Sequence, residues 1–347
     1  MRNAKLLIVG LLALVGSAAR AEAQSLPVSL FERYLEALRT QTGIPGISAA
    51  IVQDGRIVWD QGFGYQDIET QSRARSDTPY PILDLSQTLS STVLLHQCLD
   101  LGGRLDVSDK VKRWFPTYPD DTTTVGQLLS HAASGAFRYD VVKYAALTTV
   151  IAQCTSDMYP RVLAREVLDR LGMKDTVPGH DLGSGSSDRG FFTSKALDDY
   201  GTVLRRVATP YHVDRTGRAS LFHYSPPALS ASTGVVSTVL DLARFDEALD
   251  ADSVLIDPPT RDRAWQPAGP TPTGLGWFVQ SYNRERIVWH FGLMRDAYSA
   301  LYIKVPSRKL TLILLANSDG LAAPYTLANG DLTASLFAQA FLQLFIP

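Results

Sequence analysis

The chain has 347 residues, of which 45% are apolar and 20% charged, with 33 basic and 35 acidic side chains. A chain of this length and composition can bury a large globular core. The near balance of charge, without long runs of one sign, argues against binding to nucleic acid or to an anionic membrane surface.

The first 23 residues have the pattern of a secretory signal peptide. Arg2 and Lys5 precede an apolar run over 6–15, and the Ala-Glu-Ala at 21–23 fits a cleavage site. The apolar run is too short for a comfortable membrane span, and no later segment is long enough. We therefore predict that residues 24–347 act in the periplasm or the extracellular space without a membrane anchor.

Cys98 and Cys154 are the only two cysteines. Export permits a disulfide between them, whereas their apolar, helix-like surroundings also suit two buried thiols. The sequence leaves both possibilities open. The histidines show no spacing typical of metal ligands, so we expect no metal site.

The N-terminal part predicts one helix and a hairpin. Helical spacing covers 30–40, and two strand-like segments at 47–52 and 56–63 are joined by Asp54-Gly55, a strong hairpin pattern. An antiparallel sheet therefore begins near the N-terminus.

The middle of the chain, from 77 to about 208, is mainly helical in its periodicity and is interrupted by Pro and Gly. Its predicted helices cover 85–101, 125–130, 144–153 and 161–171. The Gly/Ser-rich stretch at 183–187 is typical of a loop.

The C-terminal part predicts four strands between two helices. The predicted helices are 238–249 and 332–345, and the predicted strands are 275–279, 287–290, 299–305 and 310–315. We expect one antiparallel sheet assembled from both termini and flanked by helices, in an α/β part (24–76 and 225–347) beside a mainly helical insert (77–224).

Seven short strings carry a family resemblance over nearly the whole mature chain. They are Ile44-Pro-Gly-Ile-Ser-Ala-Ala-Ile-Val, Gly62-Phe-Gly-Tyr, Gln127-Leu-Leu-Ser-His, Leu171-Gly-Met-Lys-Asp-Thr, Gly234-Val-Val-Ser-Thr, Leu242-Ala-Arg-Phe and Gly274-Leu-Gly-Trp. In this order and spacing the chain resembles the secreted serine β-lactamase-related hydrolases, which include class C β-lactamases, D,D-peptidases and related esterases. The resemblance implies a β-lactamase or penicillin-binding-protein transpeptidase-like fold, α/β plus all-α, with the active site in the cleft between the two parts. It also implies a nucleophilic Ser, no metal and no diffusible cofactor.

The nucleophile motif of that family, Ser-x-x-Lys at the start of a helix, is replaced in this chain. The lead-in from Asp77 to Tyr80 sets the register, so that the family's Ser falls on Asp84 and its Lys on Gln87. Neither Ser-x-x-Lys nor Gly-x-Ser-x-Gly occurs anywhere in the sequence. Asp followed three residues later by Gln is typical of a helix-capping pair, and we interpret Asp84 mainly as an N-cap.

Two catalytic alternatives remain at this helix. Asp84 could act as a general base or form an acyl anhydride, although a carboxylate is a poor nucleophile towards amides and esters. Ser86 could act as a displaced nucleophile, but it lies about 200° round the helix from the family's position and has no Lys one turn later.

The other two elements of the family's site are partly present. Tyr139 matches the phenol of the Tyr-x-Asn loop, with Val141 in place of Asn, and it lacks the cation that would favour a phenolate. His290 and Gly292 match the family's His-x-Gly strand, where Gly permits close approach of a backbone. His131 matches a position that we interpret as structural.

We therefore hypothesise a pseudoenzyme whose cleft binds a peptide-like, acyl or cell-wall-derived small molecule through Tyr139, His290 and Gly292. The first alternative is an active hydrolase of ester, amide or D-amino-acid peptide bonds that uses Ser86 or Asp84. The second is a structural or partner-binding protein. The sequence does not indicate an oligomeric state.

Overall fold

The computed structural model describes residues 25–252 and 254–347. The predicted signal peptide, 1–23, lies outside these residues. Across the described ranges, every helix is too short or too polar to cross a bilayer.

The centre of the molecule is an antiparallel sheet of seven strands in the order β3-β2-β1-β11-β10-β9-β8, and two small two-stranded sheets, β4-β7 and β5-β6, lie beside it. The strands are β1 (Gly46–Gln53), β2 (Arg56–Asp67), β3 (Ser72–Arg73), β4 (Tyr80–Pro81), β5 (Tyr211–Val213), β6 (Ala219–Leu221), β7 (Val236–Ser237), β8 (Phe278–Tyr282), β9 (Glu285–Met294), β10 (Tyr298–Val305) and β11 (Leu310–Ala316). Because β1 pairs with β11, the sheet joins the two ends of the chain, as the sequence predicted.

Helices cover both faces of the sheet and form the insert between β4 and β7. They are α1 (Leu26–Gln41), α2 (Ser86–Leu94), α3 (Val111–Trp114), α4 (Val125–Leu129), α5 (Val141–Tyr144), α6 (Leu147–Thr155), α7 (Tyr159–Leu163), α8 (Ser194–Leu204), α9 (Val239–Asp250), α10 (Pro258–Ala264) and α11 (Leu336–Phe345). The prediction of a helical middle between two strand-rich ends is confirmed.

The predicted hairpin is present between β1 and β2. Asp54 and Gly55 have φ values of +51° and +72°, as a two-residue turn with two left-handed positions requires. Aspartate and glycine both tolerate the left-handed region, so the local sequence determines the turn.

Alternation along the strands divides the core into two layers. Ile47, Ala49 and Ile51 of β1 point to the face covered by α1 and α11, whereas Ala50 and Val52 point to the face covered by α9 and the insert. Successive side chains of a strand point to opposite faces of the sheet, and α2, which carries the candidate site, packs against the second face.

Two predicted helices differ from the prediction in their geometry, and one predicted strand begins later. The predicted helices 85–101 and 161–171 each change from α to π geometry, at Leu95–Asp100 and Ala164–Asp169. The strand predicted at 275–279 begins at Phe278, because Gly276 has a φ of +83° and interrupts the extended conformation.

The final helix also begins later than predicted. The segment 332–334 is a single 3-10 turn, and α11 starts after Ser335, whose hydroxyl accepts a hydrogen bond from the N–H of Ala338. Cys98 and Cys154 are joined as a disulfide with a Cα–Cα distance of 5.8 Å. This disulfide links the π segment after α2 to α6.

Candidate functional site

Asp84 lies in a tight turn between β4 and α2. Leu83 has a φ of +56°, a left-handed conformation that residues with a branched side chain rarely adopt. The backbone on its N-terminal side is fixed, because the N–H of Ile82 donates to the carbonyl of Val235 at 2.9 Å. The turn therefore holds Asp84 at a defined position before the helix.

The predicted N-cap role of Asp84 is wrong. Residues 83–85 form a 3-10 turn, the N-cap of α2 is Leu85, and no side chain caps this helix end. Because the extra turn moves the helix start beyond Asp84, its carboxylate cannot reach the N2 and N3 amides. The carboxylate accepts a hydrogen bond from the hydroxyl of Tyr139 instead.

Gly292 of β9 provides the space in which this turn lies. A Cβ atom at Gly292 would be 2.2 Å from the carbonyl oxygen of Ile82, far inside van der Waals contact. The glycine of the predicted His-x-Gly strand therefore permits close approach of a backbone, but the approaching backbone is the chain's own turn.

Gln87, which the sequence matches to the family's Lys, is fully buried, and each polar atom of its side chain makes one hydrogen bond. Its Nε2 donates to the hydroxyl of Tyr139 at 3.2 Å, and its Oε1 lies 2.9 Å from Nε2 of His131. The hydroxyl of Tyr144 donates to the main-chain carbonyl of the same residue at 3.1 Å. Gln87 thus replaces an ammonium with a neutral amide that has no free polar atom in the side chain.

His131 has a role that the sequence analysis missed. Its Nδ1 accepts a hydrogen bond from the N–H of Asp140 at 3.1 Å, so the ring proton is on Nε2 and is donated to Gln87. The string Leu-Leu-Ser-His identified this histidine only as structural, because its partner is 44 residues away in the chain.

These contacts form one continuous chain of hydrogen bonds. It runs from the N–H of Asp140 through His131, Gln87 and Tyr139 to the carboxylate of Asp84. Four of the five groups are neutral, and the only ionisable end is Asp84. The structure therefore brings together Asp84, Gln87 and Tyr139, as the resemblance implied.

The ring of Tyr139 closes the site by packing against aromatic neighbours. Its centroid lies 4.4 Å from that of His131, 5.3 Å from Phe291 and 5.6 Å from Phe278. The neighbouring Phe137 packs edge to face on Phe278 at 6.2 Å. The loop that carries Tyr139 is thus packed against β8 and β9, and both Tyr139 and Asp84 are half-buried.

Burial sets the protonation states at the site. Burial raises the pKa of Asp84 to about 7, against the opposing effect of the hydrogen bond from Tyr139. Burial and the nearby Asp84 charge raise the pKa of Tyr139 well above its usual value. The phenol is therefore neutral at physiological pH and cannot serve as a base there.

The two histidines near the site are also neutral at physiological pH. Burial lowers the pKa of His131 to about 3, with repulsion from His290 as the second cause, and burial lowers the pKa of His290 to about 4. Nδ1 of His290 lies 2.8 Å from the carbonyl oxygen and 2.9 Å from the backbone nitrogen of Phe291, and the ring is 6.4 Å from that of Tyr139. His290 thus lies beside the hydrogen-bonded chain without belonging to it.

Ser86, the alternative nucleophile, is separated from this network. Its side chain is fully buried, and its Oγ accepts a hydrogen bond from the N–H of Val235 at 3.4 Å. The backbone carbonyl of Ser86 accepts from the hydroxyl of Ser90. No base contacts this serine among the described residues, so it is arranged as a structural hydroxyl.

The arrangement has limited chemistry. Asp84 can exchange a proton near neutrality, and Tyr139 can donate a hydrogen bond, but neither a serine nor an amine occupies the dyad positions. Among residues 25–252 and 254–347, no group of three or more His, Cys, Asp or Glu side chains could hold a metal ion.

Comparison with known proteins agrees with the resemblance. The family model described as Beta-lactamase matches residues 31–334. Relatives include the penicillin-binding protein 4* of Bacillus subtilis (strain 168), 23% identical over 77% of this chain and 67% of that protein. The putative penicillin-binding protein PbpX of the same strain is 21% identical over 72% of this chain and 66% of that protein. The chain thus spans about two thirds of the length of these relatives.

Solved structures share the fold. The octameric penicillin-binding protein homologue from Pyrococcus abyssi has a TM-score of 0.72 at 20% identity, covering 91% of this chain and 77% of that one. The D-amino acid amidase from Ochrobactrum anthropi SV3, complexed with L-phenylalanine amide, has a TM-score of 0.72 at 18% identity, covering 92% and 98%. The fold is therefore β-lactamase and penicillin-binding-protein-like, and the chain belongs to the serine β-lactamase-related family.

Proposed function

We propose that this protein is a non-hydrolytic member of its family, a pseudoenzyme that binds a peptide-like, acyl or cell-wall-derived ligand beside Asp84 and Tyr139. One observation carries the proposal: Asp84 and Gln87, which the sequence matches to the dyad positions, are both engaged in the hydrogen-bonded chain that runs through Tyr139 and ends at Asp84. A serine hydrolase requires a serine hydroxyl with a base beside it, and here Ser86 has no base in contact with its hydroxyl.

The chemistry of Asp84 favours a ligand that carries an amino group. The carboxylate is partly buried and has a pKa of about 7, so its proton is held loosely at neutral pH. An ammonium group placed beside it would stabilise the charged form and release that proton. Peptides and amino-acid derivatives, the ligand class suggested by the penicillin-binding proteins and the D-amino acid amidase, carry such groups.

Binding in this proposal requires the loop that carries Tyr139 to open. The ligand's amino group takes the place of the phenol as the partner of Asp84, and Tyr139 loses its contact with Phe291. His290 on β9 then borders the ligand on the other side, whereas Gly292 contributes by admitting the turn that holds Asp84. We place this activity in the periplasm or outside the cell, where the disulfide between Cys98 and Cys154 is stable.

Two measurements test the proposal. Intact mass spectrometry after incubation with a penicillin and with a fluorophosphonate should show no adduct. Isothermal titration calorimetry with D-Ala-D-Ala should show binding with proton release near pH 7, and the N-acetylated dipeptide should bind at least ~10-fold more weakly, since its amine is blocked. A stoichiometric acyl adduct would refute the pseudoenzyme, and equal binding of both dipeptides would refute the role of Asp84.

A hydrolase that uses Asp84 as a general base is the second candidate, favoured by the pKa of about 7 that burial gives this carboxyl. In that case p-nitrophenyl acetate turnover by the purified protein should rise through pH 7 and disappear in Asp84→Asn. No turnover above buffer in the parent would exclude this candidate.

A further inference from the structure

A polar cavity lies in the helical part, apart from the hydrogen-bonded chain at Asp84. It has a volume of about 680 Å³ and is bounded by the 3-10 segments His180–Ser184 and Ser187–Phe191 and by α8. The residues that line it include none of the family's site positions. A cavity of this size accommodates a small organic molecule.

Two arginines line this cavity without a carboxylate partner in the described part of the chain. One amino group of Arg189 donates to the carbonyl of Leu182, and Nη2 of Arg205 donates to Oγ1 of Thr202 at 3.1 Å. These hydrogen bonds orient each guanidinium group. Because the group has five N–H donors, further donors remain for another acceptor. Both heads therefore keep donors for a ligand.

The charge of the lining favours an anion. Asp198 is the one acidic residue among the lining residues, so the two arginines outnumber it. Two more carboxylates, Asp181 and Asp188, are close in sequence but do not line the cavity. Guanidinium pairs with phosphate and carboxylate oxygens in a planar, bidentate geometry, which is the strongest neutral-pH contact available to this site.

His180 and the apolar walls define the rest of the site. The hydroxyl of Tyr224 lies 3.0 Å from Nδ1 of His180, and when it donates there, Nε2 carries the ring proton. Burial lowers the pKa of His180 to about 4, so the ring is a neutral donor. Leu197 and Leu204 provide apolar surface beside these polar groups. The cavity thus combines anion-binding donors with a wall suited to an apolar group.

We propose that this cavity binds a small molecule with an anionic headgroup, phosphate or carboxylate, and an apolar remainder. Arg189 and Arg205 hold the headgroup, and Leu197 and Leu204 contact the remainder. The inference is independent of the function proposed at Asp84, because the two sites share no lining residue.

The test uses calorimetric titration of the purified protein with phenyl phosphate, benzoate, inorganic phosphate and neutral benzyl alcohol at constant ionic strength. Saturable binding of phenyl phosphate or benzoate is expected, and the stronger of the two identifies the headgroup. Benzyl alcohol should not bind. If neither anion binds the parent, the proposal is overturned.

Variants locate the site. Arg189→Gln and Arg205→Gln should each weaken binding of the preferred anion by ~10-fold or more, because each removes a charge-assisted hydrogen bond. Lys195→Gln is the matched control: it removes the same charge from α8, but Lys195 pairs with Asp199 and does not line the cavity. Equal weakening by the control would show unspecific attraction and overturn the site.

A further measurement does not depend on the folding of any variant. The parent is treated with phenylglyoxal, which modifies accessible arginines, with and without the preferred anion, and the products are mapped by peptide mass. Selective protection of Arg189 and Arg205 is expected, with Arg263 of another cavity unprotected. Protection of all three alike would contradict the proposal.

Discussion

The hydroxyl of Tyr139 donates a hydrogen bond to the carboxylate of Asp84, and it accepts one from Nε2 of Gln87 at 3.2 Å. The phenol therefore connects the two positions at which the family places its serine and lysine. Both hydrogen-bonding directions of the hydroxyl are used, so neither residue can change without affecting the other through Tyr139.

Asp84 should make stability depend on pH. Its pKa is about 7 in the folded chain and near its usual value of 3.8 in the unfolded chain. The folded state holds the proton more tightly, so the contribution to stability is complete below pH 4 and is lost as the pH rises to about 7. The difference corresponds to at most ~4 kcal/mol. Urea denaturation at pH 5 and pH 8 should show a larger fall in unfolding free energy for the parent than for Asp84→Asn.

The matched control for this prediction is Asp60→Asn, which makes the same change at an exposed position on β2. It should keep the pH dependence of the parent. If Asp84→Asn keeps that dependence as well, the carboxyl is not held in its protonated form by burial.

Gln87→Leu should destabilise the fold. The leucine has about the same size but leaves the Nε2–H of His131 without an acceptor in a buried position. An unsatisfied buried donor costs ~1 to 3 kcal/mol. Gln97→Leu is the control. Gln97 lies in the π segment after α2 and makes a single, partly buried hydrogen bond to Glu166, so its replacement should cost clearly less stability. Equal losses in chemical denaturation would show that the chain through Gln87 adds no stability.

The combination of Asp84→Ser with Gln87→Lys should restore some acylation by activated esters. Burial disfavours the charged amine, and the single lone pair of a neutral amine can accept the proton of the new serine hydroxyl. The gain should be modest, because Tyr139 must give up its packing against Phe291 to admit substrate. Fluorophosphonate labelling should appear in the double variant and in neither single variant; a folded double variant without labelling would show that the site has diverged beyond its dyad.

Gly292→Ala should be strongly destabilising or prevent folding. The added Cβ would lie 2.2 Å from the carbonyl oxygen of Ile82, and the fixed turn before Asp84 cannot move away without breaking its hydrogen bond to Val235. Gly190→Ala is the control, because its Cβ would meet no atom within 4 Å. Expression yield and melting temperature should fall for the first variant only, and similar values for the two would contradict the close approach.

Much of the fold could be predicted from the sequence because it depends on local patterns. The apolar runs of β1 and β11, the two left-handed residues of the hairpin and the helical periodicity of the middle are all short-range features. The change from α to π geometry at Leu95–Asp100 could not be predicted, because no residue type marks that change.

The candidate site was predictable in its positions and not in its contacts. The register from Asp77 grouped Asp84 and Gln87 with Tyr139, and the structure brings the three together. The capping role failed because the left-handed Leu83 inserts a turn before the helix. The roles of His131 and of the closed Tyr139 loop depend on partners that are distant in the chain. Sequence spacing carries no information on such contacts.

The disulfide between Cys98 and Cys154 has a consequence for the unfolded chain. The two cysteines are 56 positions apart, and both His131 and Tyr139 lie between them. Closing a loop of this length removes chain entropy that corresponds to ~4 kcal/mol in the simplest polymer treatment. In the oxidised unfolded chain, His131 and Tyr139 therefore lie in a closed loop that begins just after the helix carrying Gln87, and fewer conformations separate them from Gln87.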